Sequence, residues 1–261
     1  MLSDDIDLLL VDPLPGAAVQ QALAETQARG VPTIVTSTAT IAAPCLSRIY
    51  AADGQRGTES ANWMVHAVTS GRVVVVYSAQ AAGDVNVWLS AVQRRLAEQP
   101  SITVDLAACP WSVSGAQQRV GAMARDGTMN GIIALDGVLA RGAVLALTEN
   151  GLPVPPVAGG DDWNGWLRTA REFGMPFLGF GAGTNMGLTC VELAMQVLSG
   201  KAVAACSELP LRVFDHTSTG PVYQADLSDH YYAFNELPAA WVDRMFRTSA
   251  PRAGSAPNRI A

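Results

Sequence analysis

The chain has 261 residues, 49% of them hydrophobic, enough to bury a sizeable core in one large domain or two small ones. Its formal charge is -6 and no lysine or arginine run interrupts it, so the electrostatic footprint of a nucleic-acid binder is missing and a small neutral or polar ligand fits better. The four cysteines, Cys45, Cys109, Cys190 and Cys206, form no CxxC pair, which disfavours a zinc site and leaves the disulfide state open.

Short apolar runs of β type alternate with segments of helical period. In chain order the candidate strands are "IDLLLV", "PTIVTS", "SRIYA", "RVVVVYS", "ITVDLAA", "GIIALD", "PVPPVAG" and "PFLGFG". They are continuously apolar rather than alternating, as expected of strands covered by helices on both faces, and the succession predicts an α/β fold with parallel sheets. Between them, Val19, Ala22, Leu23 and Thr26 recur at helical spacing before Gly30, and Ser114 with Gln117 resembles a capping box ahead of Val120 and Met123. Leu188, Val191, Met195 and Leu198 form a further apolar stripe, ended by Gly200, which predicts a helix packing that face on a sheet. None of the apolar runs approaches the ~18 residues of a membrane span, so a membrane-spanning chain is not expected. The opening "MLSDDIDLLL" is acidic where an export signal is basic, so no signal peptide is read in the chain. The tail 248–261, rich in Ser, Ala, Pro and Gly, is expected to be disordered.

In open parallel sheets ligands bind beyond the carboxyl ends of strands. The polar residues just after each predicted strand are Thr36 and Ser37, Asp53, Asn86 with nearby Trp88, Trp111, Asp136, and Asp161, Asp162, Trp163 and Asn164. Carboxylates and amides that hydrogen-bond hydroxyls, together with indole rings that pack on C-H faces, are the chemistry of a sugar or polyol site. A capping role for Asp161 or Asp162 ahead of "WNGWLRTAREF" is the competing reading, and Trp166 reads as core. Catalysis finds less support: His66, His216 and His230 have no metal or triad spacing, and GxxxxGK[ST], HExxH and GxSxG are all missing. No cofactor, catalytic residue or metal ligand is expected. In "GFGAGTNMG" the third glycine of a dinucleotide loop falls on Thr184 or Met186, so it reads as a strand-to-helix connection.

The segments "IDLLLVDPLPGAAVQQALAETQARGVPTIVTST", "RIYAADGQRGT", "GIIALDGVLARGAVLALTENG", "PVAGGDDWNGWL" and "GLTCVELAMQVLSGK", in this order, resemble the type I periplasmic sugar-binding proteins of ABC transporters, in the ribose-binding branch, whose fold is shared by the ligand-binding cores of LacI-type regulators. The resemblance implies two Rossmann-like lobes, 1–52 with 182–210 and 53–181, followed by a C-terminal strand and helix extension over 211–247. It implies a sugar or polyol held between the lobes, an ABC transporter permease as partner, and a periplasmic or cell-envelope location. By position, Asp136 matches a sugar-contacting amide or acid and Asp161 the aspartate of a strand-end G-x-D. Thr36 and Ser37 stand where the family often has an Asp-Arg pair, Asn86 or Trp88 near a sugar-holding arginine, Trp111 near a stacking aromatic, and Gly181 near a glutamine. The family opens with two further βα units before the equivalent of "IDLLLVDP". The first lobe is therefore expected to be incomplete, with an open strand edge, weak sugar binding and a tendency to self-associate. The effector-binding core of a LacI-type regulator is the alternative, and a carbohydrate-active enzyme is a less favoured one.

Overall fold

Strands and helices alternate along most of the chain because apolar runs of four to eight residues are each followed by a segment of helical period. The computed structural model describes residues 6–12, 17–36, 45–79, 84–181, 185–218 and 222–247. The first half of the chain gives β1 (Leu9–Val11), α1 (Ala17–Ala28), β2 (Thr33–Thr36), β3 (Ser47–Ala51), α2 (Asp53–Ala67), β4 (Gly71–Ser78), α3 (Asp84–Leu96), β5 (Ile102–Cys109) and α4 (Val113–Ala124). The second half gives β6 (Gly131–Ala134), α5 (Gly137–Glu149), β7 (Val157–Asp161), α6 (Asn164–Phe173), β8 (Phe177–Gly181), α7 (Asn185–Leu198), β9 (Cys206–Leu209), β10 (Arg212–Asp215) and α8 (Ala239–Phe246).

Two sheets result, one per lobe. The smaller runs β1-β2-β3-β9 with all strands parallel, and the larger runs β10-β8-β7-β6-β4-β5. The sheets are parallel as expected, apart from β10 of the C-terminal extension, which adds to the larger sheet antiparallel to β8. The chain leaves the small sheet after Ala51, and α2 then packs under β6 and β7 of the large one. It returns with β9 beside β3, and Pro210 and Leu211 carry it back to β10. Among the described residues β1 is the outermost strand of its sheet, and Leu10 on it is exposed. The tail 248–261 lies outside the described residues.

The large core is built on β4, where Val73, Val74, Val75 and Val76 are fully buried between helices on both faces. At about 25 cal/mol per Å2 of apolar surface, such β-branched side chains contribute roughly 1.5–3 kcal/mol each on burial. The small sheet has a smaller core around Ile34 and Ile49, covered by Cys190 and Ala194 of α7. Here the sequence reading is corrected. Leu188, Val191, Met195 and Leu198 are exposed, while Met186, Cys190, Leu193, Ala194 and Val197 face the sheet. The helix is apolar on two faces, so periodicity alone could not choose between them.

Capping also differs from the expected register. Ser112, two residues before Ser114, accepts a bond from Gly115 N at 2.9 Å, and Gln117 instead donates to Glu149 on α5 at 2.6 Å. A cap side chain satisfies a donor that the helix itself cannot, so the residue that reaches the free N–H sets the start.

Residues 222–247 wrap back onto α5 and α6 through polar contacts. Asn164, fully buried, donates from Nδ2 to the carbonyls of Gln224 (2.9 Å), Leu227 (3.0 Å) and Ser228 (3.2 Å), and its Oδ1 accepts from Gln224 N at 3.1 Å. Asp229 receives Arg168 Nε at 2.9 Å and Arg141 Nη1 at 3.0 Å. The Asn164→Ala variant should therefore lose on the order of 2–4 kcal/mol, because one truncation strands four backbone groups inside the protein. Urea unfolding with limited proteolysis checks it: faster cleavage within 222–247 is the expected result.

Candidate functional site

The carboxyl ends of β5, β6 and β7 open on the same side of the large sheet, and the polar side chains that follow them gather there. β6 ends at Ala134, and Asp136 starts α5 with its Oδ1 accepting Leu139 N at 2.9 Å. Its other oxygen, Oδ2, accepts the indole N–H of Trp111, which stands just beyond β5 and is 53% exposed. One carboxylate thus caps a helix and fixes the orientation of an exposed indole. β7 ends at Asp161, whose Oδ1 accepts Trp163 N at 3.2 Å and which also takes the backbone N–H of Gly137. A Cβ at Gly137 would sit 2.3 Å from Asp161 Oδ1, so residue 137 must lack a side chain for the carboxyl to lie there.

A second group comes from the start of α2, where the chain enters the large lobe. Asp53 pairs with Arg56 at 3.0 Å, and Arg56 is near enough to Asp136 to favour its ionised form. Arg56 Nε is buried with no partner among the described residues. From the C-terminal segment, Tyr232 bridges antiparallel to Trp163 and its hydroxyl feels the charges of Asp161, Asp136 and Asp162. Sequence reasoning missed Arg56 and Tyr232. The first carries a signal, an Asp-x-x-Arg spacing on one helix face in "DGQR", whereas the second is brought against Trp163, 69 residues earlier, by tertiary packing.

Electrostatics follow from this crowding. Burial pushes Asp136 above the usual carboxylate range, against the lowering effect of Leu139 N, Trp111 and Arg56. Asp161 is pushed up to about 7, first by burial and then by the neighbouring charges of Asp136 and Asp162. Asp53 and Asp162 are also raised, burial being the main cause in each. Among the described residues no cluster of three or more His, Cys, Asp or Glu could hold a metal ion.

Several candidates from the sequence take other places. Trp88 is fully buried in the large core beside Val92 and Leu96, with no surface left for a ligand. Asn164 has its amide saturated by the C-terminal segment, as described above, and Asp162 turns the same way, its Oδ2 accepting Phe234 N at 2.7 Å. Trp163 lies with its ring against Gly165 and the Arg141 guanidinium 5.5 Å above it. Thr36, at the end of β2, is buried and donates to Val11 O at 3.4 Å. Ser37 and the side chain of Asn86 lie outside the described residues. Trp111, Asp136, Asp161 and Asp53 thus remain at the strand ends, with Arg56 and Tyr232 added. A wide groove of about 810 Å3 lined by Gln27, Thr33, Leu46 and Lys201 opens at the opposite, amino-terminal end of β2, and it holds none of these carboxylates.

The raised pKa of Asp161 sets a direction for stability. Between its unfolded value near 3.8 and about 7 the folded chain holds a proton that the unfolded chain releases, so stability falls as pH rises through that window and levels off above it. The shift corresponds to about 4 kcal/mol at most. Asp161→Asn should flatten this dependence and raise the unfolding midpoint at pH 8 while leaving it little changed at pH 4. Thermal unfolding from pH 4 to 8 measures both.

Comparison with known proteins places the fold. A family model described as a periplasmic binding protein domain matches residues 1–202. Among curated proteins, nothing matches. The fold is similar to that of an ABC transporter solute binding protein from Agrobacterium vitis bound with alpha-D-tagatopyranose, at 17% identity over 82% of this chain and 76% of that one, with a TM-score of 0.73. It is similar to GanP, a glucose-galactose binding protein from Geobacillus stearothermophilus, at 11% identity over 83% and 79% of the chains, with a TM-score of 0.73. It is similar too to the fructose binding periplasmic domain of a hybrid two component system, at 19% identity over 82% and 73%, with a TM-score of 0.75. Identities this low speak for the fold, and the family match spans most of the sequence. The chain belongs to the periplasmic binding protein domain family.

Proposed function

We propose that this protein is the solute-binding component of an ABC transporter, taking a neutral sugar or polyol at the carboxyl ends of the large sheet where that lobe faces the small one. The observation that carries this reading is the Trp111–Asp136 pair beside Asp161: an exposed indole oriented by a carboxylate, next to a second carboxyl. Indoles pack on the C-H faces of sugars, and carboxylates accept hydrogen bonds from their hydroxyls at roughly 1.5–3 kcal/mol each. The permease of such a transporter is the proposed partner and the periplasm or cell envelope the proposed location. No helix among the described residues is long and apolar enough to cross a membrane. A sensory role is the second reading, favoured by one observation: a similar fold serves as the fructose binding periplasmic domain of a hybrid two component system.

Tryptophan fluorescence and titration calorimetry against pentoses, hexoses and polyols test the proposal. Saturable binding by at least one of them is expected. Trp111→Ala, at an exposed position with little packing to lose, and Asp136→Asn, which keeps the cap but removes the charge, should each weaken that binding by about tenfold or more. Affinity unchanged in both variants would reject the site.

A further inference from the structure

We infer that the segment following the family-matched region forms one wall of the ligand site, with Tyr232 as a specificity-determining residue that donates a hydrogen bond from its phenol to a ligand hydroxyl. This inference rests on the sugar or polyol reading and deepens it.

The family match ends at residue 202, so residues 222–247 lie beyond it. Yet they are fastened to the very end of β7, the strand that delivers Asp161. Asn164 N donates to Tyr231 O at 2.8 Å, Gly165 N to Asp229 O at 3.3 Å, Ala233 N to Asp162 O at 3.2 Å and Phe234 N to Asp162 Oδ2 at 2.7 Å. Between these bonds Tyr232 bridges antiparallel to Trp163. The segment therefore runs along residues 162–165 as a short ladder, immediately beside Asp161. At its far side the ring of Phe234 lies where a Cβ of Gly181 would be, at the carboxyl end of β8. Residues 231–234 thus span from the end of β7 to the end of β8, across the mouth of the sheet.

The anchors behind this ladder make it a fixed wall. Asp229 is held by Arg141 of α5 and Arg168 of α6, and Asn164 binds three carbonyls of the same segment. Tyr232 is half-buried on this ladder, next to Trp163, and lies near enough to Asp161, Asp136 and Asp162 for their charges to act on its hydroxyl. Burial and those charges push its pKa up to about 12, so the phenol keeps its proton over the whole working range. A permanent donor beside carboxylates complements them: the carboxylates accept from ligand hydroxyls, and the phenol offers a proton to a ligand oxygen.

The Tyr232→Phe and Tyr232→Ala variants, compared with the intact protein by calorimetry over the same sugar panel, test this. Tyr232→Phe should weaken the best ligand by about tenfold with an unchanged unfolding midpoint, as expected for one lost hydrogen bond. Tyr232→Ala should in addition alter the rank order of the panel, because the wall itself recedes. Ligand should also slow amide exchange at residues 230–235. Equal affinities and equal rank order in both variants, in a protein that binds sugar, would overturn the inference and leave the sugar reading standing. No binding of any sugar or polyol by the intact protein would overturn both.

Discussion

Asp161 can lie against the backbone of Gly137 only because residue 137 has no side chain, and much of the candidate site depends on that close approach. The carboxyl is held by the Gly137 and Trp163 N–H groups, both at helix starts, where donors are otherwise unsatisfied. Asp136, one residue before Gly137, caps the same helix and orients Trp111. Two carboxylates are thus brought side by side by one helix start. Burial first, and then repulsion from Asp136 and Asp162, raise the pKa of Asp161, and the backbone donors of Trp163 and Gly137 offset that only in part. A core built for stability alone would not place two acids so, which is why the pair reads as functional.

The start of α6 also holds the C-terminal segment, and this divides the polar residues after β7 into two jobs. Asp161 faces the strand ends, while Asp162 and Asn164 face the segment 222–234 and satisfy its backbone. Alternation along an extended stretch sends neighbours to opposite sides, so adjacent aspartates in "GGDDWNGW" are not interchangeable. Trp166, further on, is fully buried, with its Nε1 only 2.1 Å from where a Cβ of Gly160 would be. Gly160 therefore permits the indole to close the core directly beneath the site.

How far the sequence could reveal this differs by element. All eight apolar runs that read as strands are strands; most are buried on both faces and carry that signal, while β1 and β5 lie at sheet edges and keep exposed positions. β9, "CSEL", and β10, "RVFD", are short and half polar, and only their pairing with β3 and β8 makes them strands. Trp88 was legible in principle: it falls in register with Val92 and Leu96 on one face of α3, the face that packs into the core. Trp111 differs because it precedes the cap Ser112 and lies outside any helix. Asn164 offered no such clue, since the carbonyls that saturate it lie 60 to 64 residues away in sequence. Local pattern fixes elements; partners at that separation emerge only from the fold.

The charge of the site bears on what it admits. Asp53 and Asp136 share one arginine, Arg56, which is paired with Asp53, and Asp161 lies beside Asp136 with no arginine of its own among the charges that act on it. A phosphorylated or carboxylated ligand would bring a negative group into this field. At 4 Å and an effective dielectric near 20, each like-charge pair costs about 4 kcal/mol. Discrimination by repulsion needs no contact tailored to the rejected compound, so under the proposed reading an acidic floor sorts neutral polyhydroxylated ligands from acidic ones before shape is consulted. Asp161, its pKa raised to about 7, would add a finer adjustment: ionised, it can only accept from a ligand hydroxyl; protonated, it can also donate to one. Under the proposed reading, the crowding that raises its pKa is therefore also what lets one side chain serve ligands that present either a donor or an acceptor at that position.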